Sequence, residues 1–282
     1  MSRGAILETA LWTLAAALFF LGFGWPEPST PPFAEGPREA GVLRVVTWNV
    51  GGAGTDGDWG RSLEDEQVEH VASVLRELDP DLCFLQEVRM GLQSRRLLEA
   101  LGDGWVREGS SSARSRKVVA FAQRGSLEAV DLVDRPRSAL AVRYTPSGSG
   151  AEVVAVGLHA DVRSAERRNE EIGEVAAALE RLRAREGAKV VLAGDLNIDL
   201  DLDKRRDLFT DDEYLDVETY NFVATRFRDA GRGTGSTAEP DRRLDYVFFD
   251  ERAFEVRTAG PARGRRVADM DHDPVAADLA WR

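Results

Sequence analysis

Short apolar runs rich in β-branched residues recur along the chain, at residues 42–48, 81–87, 117–123, 139–144, 152–158, 189–194, 245–249 and 275–281. Runs of this length and composition predict buried strands. Between them the apolar positions change to a three-to-four spacing. Val68, Val71, Leu75 and Leu78 predict a helix capped by Ser62 and stopped at Asp79-Pro80. Ile172, Val175, Leu179 and Leu182 predict a second, opened by Ser164, and residues 92–101 a shorter one with Gly102 behind it. Pro146-Ser-Gly-Ser-Gly150 predicts a hairpin loop joining 139–144 to 152–158. Residues 199–229 are acidic and less regular, and read as a helix plus a surface excursion. Strand–helix alternation combined with hairpins predicts an α/β fold with mixed sheets.

The N-terminus departs from this pattern. Residues 5–25 are almost wholly apolar, broken by Glu8, Thr9 and Thr13, and are long enough to cross a bilayer. Trp25-Pro-Glu-Pro follows in place of a small-x-small cleavage site, which favours an uncleaved signal-anchor; a cleaved signal peptide is the alternative. Arg3 on the short side places the bulk of the chain outside the cytoplasm, membrane-anchored, or secreted if the segment is removed. Residues 26–41 hold five of the 11 prolines and read as an extended tether. The expected organisation is therefore an N-terminal hydrophobic segment at 1–25, a Pro-rich linker at 26–41, and one domain at 42–282.

Charge narrows the list of partners. Asp and Glu number 49 against 37 Lys and Arg, for a net charge of −12. An acidic chain is a poor tracker of nucleic-acid backbones, whose non-specific binding depends on Lys/Arg counterion release. A local basic patch or a bound cation can reverse the field locally. The single cysteine, Cys83, rules out an intramolecular disulfide and a zinc thiolate cluster. Its position inside an apolar run fits a small buried hydrophobe better than a nucleophile. The chain has neither a Gly-x-Ser-x-Gly elbow nor a phosphate loop ending in Gly-Lys-Ser/Thr.

Polar residues stand at the edges of six apolar runs: Asn49, Glu87, His159, Asp195 with Asn197, Asp245, and Asp271 with His272. A carboxylate, amide or imidazole at the end of a buried strand is costly without a partner. Six such ends suggest one shared polar site, and the residue types suit a hard metal ion and a phosphate. Asp195 and Asn197 are two apart and point to one side of extended backbone; an Asx turn is the alternative. His70 falls within a helix and reads as a surface residue.

In order along the chain stand Val46-Thr-Trp-Asn-Val50, Phe84-Leu-Gln-Glu-Val88, Gly157-Leu-His-Ala160, Leu192-Ala-Gly-Asp-Leu-Asn197, Arg243-Leu-Asp-Tyr-Val-Phe248 and Asp271-His-Asp-Pro-Val275. This series resembles the motifs of the endonuclease/exonuclease/phosphatase superfamily over nearly all of residues 42–282. The resemblance implies a four-layer α/β sandwich of two mixed β-sheets packed face to face with helices outside. It implies Mg²⁺- or Mn²⁺-dependent phosphoester hydrolysis. Carried over by position, Glu87 would be the principal metal ligand, with Asn49 close by and Asp271 a metal-side carboxylate. Asp195 would orient or deprotonate the attacking water, and Asn197 would hold the phosphate. His272 would stabilise the transition state, supported by Asp245, with His159 as a second imidazole.

Three departures matter. Gly51 stands where abasic-site endonucleases of the superfamily carry an acidic residue. Met270 stands where a Ser usually precedes Asp-His. The His159 segment is closer to the branch with pancreatic-type deoxyribonucleases, sphingomyelinases, deadenylases and tyrosyl-DNA phosphodiesterases. The expected activity is a nuclease-type phosphodiesterase, with nucleic acid favoured over lipid as substrate; Arg263, Arg265 and Arg266 read either as a solvated charge run or as backbone contacts. Hydrolysis of lipid head groups or small phosphoesters is the alternative, and a non-catalytic binding module a remote one. No obligate protein partner is evident from the sequence.

Overall fold

The computed structural model describes residues 30–36, 39–51, 65–89, 91–109, 116–132, 136, 138–148, 150–203, 208–267 and 269–282. The apolar segment at 5–25, Ser62 and the glycine-rich stretch after Gly51 lie outside them. Among the described residues no helix is long and apolar enough to cross a membrane.

One sheet contains β1 (Val42–Asn49), β2 (Leu82–Arg89), β3 (Trp105–Gly109), β4 (Arg116–Gln123), β11 (Phe254–Pro261) and β12 (Val275–Trp281), in the order β11-β12-β1-β2-β4-β3. The other contains β5 (Gly125–Ala129), β6 (Ala139–Pro146), β7 (Val153–His159), β8 (Val190–Asp195), β9 (Arg228–Asp229) and β10 (Asp245–Phe249), in the order β5-β6-β7-β8-β10-β9. Each sheet is mixed, with one parallel pair at its centre, β1 with β2 and β7 with β8, and antiparallel neighbours outside. The helices are α1 (Asp65–Leu78), α2 (Leu92–Leu101), α3 (Ala165–Glu186) and α4 (Glu213–Ala224). The α3 helix starts where the Ser164 hydroxyl accepts from Arg167 N and stops at Gly187, whose φ of 64° is left-handed.

Alternation along the strands sorts the apolar residues into three layers. Leu43 and Val45 of β1, Phe84 of β2, Val153 and Ala155 of β7, Val191 and Ala193 of β8, and Val247 and Phe249 of β10 fill the space between the sheets. Val46, Trp48, Cys83 and Leu85 face the other way, against Val71, Leu75 and Leu97 of α1 and α2. Leu192, Tyr246 and Phe248 pack on Ile172, Val175, Leu179 and Tyr220 of α3 and α4. The result is helices, sheet, sheet, helices, as the motif series implies. Cys83 is part of this packing, and burial pushes its thiol up to about 12, so it is a core residue.

Residues 30–33 belong to the segment that reads as a tether, yet they are docked. Phe33 N donates to Ala259 O, and Ala259 N to Pro31 O, each at 3.0 Å, extending the edge of β11. Arg44, 1% exposed on β1, ties this region together. Its Nε and Nη2 grip Asp278 of β12 at 2.7 and 2.9 Å. Its Nη1 caps the last carbonyl of α1, Leu78 O, at 2.8 Å, and also reaches Gly36 O. Its guanidinium lies 5.0 Å from the centre of the Phe33 ring. Removing one member of a buried ion pair strands the other charge. Asp278→Ala is therefore expected to lower stability by about 3–5 kcal/mol in urea unfolding; a loss under about 1 kcal/mol would contradict this account of Arg44.

Candidate functional site

The topology brings the polar strand ends together. Parallel pairing sets the C-terminal ends of β1 and β2, with Asn49 and Glu87, side by side, and does the same for β7 and β8 with His159 and Asp195. The strands β12 and β10 run antiparallel to these, so their N-terminal ends arrive at the same edge, carrying Asp271-His272 and Asp245. His159 pairs with Asp195, and Asp195 with Asp245, in register. By alternation, Asn49, His159, Asp195 and Asp245 continue the rows that fill the space between the sheets. They aim into the open end of that space.

Glu87 does not fit the alternation, which would turn it toward the helices. It has φ of 61° and lies in a bulge, where the pairing of β2 with β4 shifts between Leu85 and Val88. A bulge re-aims a side chain at the cost of local strain. Here it brings Glu87 Oε1 to 3.3 Å from Asn49 Nδ2. At Gly51 a Cβ would lie 2.1 Å from Glu87 Oε2. The side chain of Glu87 thus occupies the space that an acidic residue at position 51 would enter.

Asp195 is the hub, 1% exposed. Its Oδ2 accepts from Asn49 Nδ2 at 2.9 Å and lies 3.6 Å from His159 Nε2 and 3.8 Å from His272 Nε2. Its Oδ1 accepts from Asn197 N at 3.0 Å. Gly194 makes this approach possible, because a Cβ there would lie 1.9 Å from Leu158 O on the neighbouring strand. Asn197, with φ of 51°, commits one amide N–H to Ala160 O at 3.0 Å.

His272 Nδ1 and Asp245 Oδ2 are 2.8 Å apart. Thr237 holds the same oxygen, donating its hydroxyl at 2.7 Å while accepting from the backbone N–H groups of Leu244 and Asp245. Trp48 Nε1 donates to His272 O at 3.0 Å, fixing the imidazole's backbone from β1. Burial alone would push the His272 imidazole down, but the carboxylates of Asp245 and Asp195 outweigh it and raise the ring to about 10. Burial raises the Asp245 carboxyl too, with the imidazole pulling it back. With Asp195 also facing the ring, we place the proton on His272, as an imidazolium against a carboxylate.

Asp271 lies at the rim, its Oδ1 3.9 Å from His272 Nε2, its carboxyl raised by burial and pulled back by His272. Among the described residues, Asp195, Asp245 and His272 have potential ligand atoms within 4.8 Å of one another and could hold a metal ion. Since His272 Nδ1 and Asp245 Oδ2 already bond each other, that pair is better described as an orienting couple. Asp195, Glu87 and Asp271 supply carboxylate oxygens, whereas Asn49 turns its Nδ2 to Glu87 and Asp195 and its Oδ1 to Gly51 N; Glu87, with its side chain 21% exposed, is open to solvent. Hard oxygen donors with access for water match a divalent cation that needs only one or two carboxylates.

Two sequence expectations are corrected. Arg265 is bound to Glu35 and Glu77 at 2.5 and 2.6 Å, and Arg266 to Asp273 and Glu239 at 3.0 and 2.7 Å. Both charges are engaged within the protein, leaving only Arg263 of the three without such a pair among the described residues. His70 is half-buried, with Nε2 2.6 Å from Arg265 O and its ring edge-on to Trp48, so it is not a plain surface residue. Thr237 was not foreseen. A lone Thr in a Gly/Ser-rich loop carries no periodic signal, and only its spacing of eight residues before Asp245 hints at the contact.

The profile of the Endonuclease/Exonuclease/phosphatase family matches residues 46–265. Comparison with curated protein sequences finds no match. Among solved structures, the human Nocturnin catalytic domain with bound sulfate is similar at TM-score 0.63 and 16% identity, covering 89% of this chain and 100% of that one. A truncated Caenorhabditis elegans TDP2 is similar at 0.61 and 19%, covering 85% and 98%. A mannosyl-6-phosphatase of Bacteroides thetaiotaomicron is similar at 0.62 and 19%, covering 84% and 99%.

The proton on His272 makes a stability prediction. An imidazole raised in the folded state contributes stability that is fully present below its unfolded value of about 6.5 and lost as pH rises through about 10. In metal-free protein, the stability difference between wild type and His272→Gln should narrow steadily across that window in urea titrations. A difference independent of pH would remove the imidazolium assignment.

Proposed function

The chain belongs to the endonuclease/exonuclease/phosphatase family, and from that premise we propose that it is a divalent-metal-dependent phosphoester hydrolase, acting as a phosphodiesterase of nuclease type. The observation that carries this reading is the Asp195 carboxylate, bracketed within 4 Å by the Asn49 amide and the imidazoles of His159 and His272. A base flanked by donors can orient a water toward a phosphorus atom while those donors hold the phosphoryl oxygens. Asp195 aligns the water and takes its proton. His272, charged and held by Asp245 and Thr237, stabilises the charge that develops at phosphorus or protonates the leaving oxygen. His159 and Asn197 complete the phosphate's surroundings. A Mg²⁺ or Mn²⁺ ion held by Glu87, with Asn49 and Asp271 alongside, would supply charge neutralisation for the phosphate.

A second reading, hydrolysis of small phosphoesters or lipid head groups, is favoured by one specific observation. Arg265 and Arg266 are held in ion pairs, which removes two of the three candidate contacts for a polynucleotide backbone. For location, the apolar run at 5–25 supports a domain anchored outside the cytoplasm.

The purified full-length protein should hydrolyse bis(p-nitrophenyl) phosphate with Mg²⁺ or Mn²⁺ and stop in EDTA; undiminished turnover in EDTA would sink the metal dependence. His272→Ala and Glu87→Ala should each lower turnover at least about a hundredfold, the scale of losing one transition-state stabiliser, and wild-type rates in either would refute its role. Parallel incubation with plasmid DNA, RNA, sphingomyelin vesicles and a sugar phosphate separates the two readings: cleavage confined to lipid or sugar phosphate overturns the nuclease assignment.

A further inference from the structure

A cavity of about 300 Å³ lies where the end of α4 meets the edge strand β9 and the turn after β10. In β9, Arg228 pairs with Phe249, the last residue of β10, whereas Asp245 opens that strand at the catalytic end. The intervening extended chain spans about 14 Å. The cavity and the catalytic site are thus at opposite ends of the same sheet.

Its lining carries an excess of positive charge. Arg226, Arg228 and Arg232 face two acids, Asp229 and Glu251. Asp229 is already committed: both its oxygens take Arg243 Nη2, at 2.7 and 2.8 Å, and it also accepts from the Tyr220 hydroxyl and from Gly231 N, each at 3.0 Å. Glu251, the other acid of the lining, is exposed on its turn. Arg226 gives its Nε to Glu180 at 3.1 Å. Arg228 is half-buried, and its guanidinium has no hydrogen-bond or ion-pair partner among the described residues. A half-buried guanidinium on the wall of a cavity, without an internal partner, is set for an anion from solution. The negative end of α4 is masked: Phe222 O accepts from Arg226 Nη1, and Val223 O from Arg226 N and Phe227 N.

We propose that this cavity binds a small phosphate-bearing anion, at a site separate from the catalytic centre. The guanidinium fork matches phosphate oxygens in pairs. The volume is at the small end of the range for small-molecule sites, which suits a phosphorylated small molecule or a lipid head group. The inference is independent of the proposed catalytic activity.

The test is calorimetric titration of EDTA-treated full-length protein with inorganic pyrophosphate and with glycerol 3-phosphate, beside co-sedimentation with phosphatidylglycerol vesicles. The expected result is one equivalent of soluble anion bound, or vesicle binding alone if the source is lipid. Binding should weaken at least about tenfold in Arg228→Gln and in Arg232→Gln and stay unchanged in His272→Ala. Arg232 is exposed, so its variant serves even where Arg228→Gln loses the fold, as judged by its thermal midpoint. Absence of binding to all three probes would overturn the proposal. So would binding lost in His272→Ala but retained in both arginine variants.

Discussion

Asp195 is a carboxylate withdrawn from water at the mouth of the space between two sheets, and the catalytic end is arranged around keeping it there. A buried charge with no partners would cost several kcal/mol. Its four nearest polar neighbours come from four different segments: the Asn49 amide, the Asn197 N–H, and the imidazoles of His159 and His272. Each depends on a strand arriving in the right direction. The central parallel pair of each sheet delivers C-terminal ends and the antiparallel flanks deliver N-terminal ends. Polar side chains at one edge are thus a consequence of sheet order, and the apolar rows behind them provide the rigid backing.

How far this was legible in the sequence follows from burial. The eight strands foreseen are those whose two faces are both covered, so their apolar runs are nearly continuous. The strands missed, β3, β5, β9 and β11, are the four edges of the two sheets. They are short or half-exposed, as β5 shows with Leu127 the only large apolar side chain in Gly125–Ala129. The site residues were legible for a related reason: a polar group ending an apolar run is conspicuous because burial penalises it. Glu87 was found in that way, but the bulge that aims it was not, since a left-handed Glu leaves no trace in composition. Thr237 and the paired state of Arg265 and Arg266 were hidden because both depend on residues far apart in the chain.

The distribution of cations sharpens the chemistry. Three buried or nearly buried arginines serve structure, as Arg44 with Asp278, Arg168 with Asp216, and Arg243 with Asp229. Arg265 and Arg266 close surface pairs beside the catalytic end. The positive charge aimed at Asp195 therefore comes from the His272 imidazolium. A guanidinium is always charged, whereas an imidazolium can give up its proton. With Asp195 as the proposed base and Glu87 accessible to solvent, this suits charge developing at one phosphorus centre more than holding a long anionic chain. Under the proposed reading, affinity for anything larger than the reacting phosphoester must come from surfaces beyond the ring formed by Asn49, Glu87, His159 and His272. Two of the three candidate cations, Arg265 and Arg266, could contribute only by giving up carboxylates they already hold, and that exchange has a cost which a small substrate avoids.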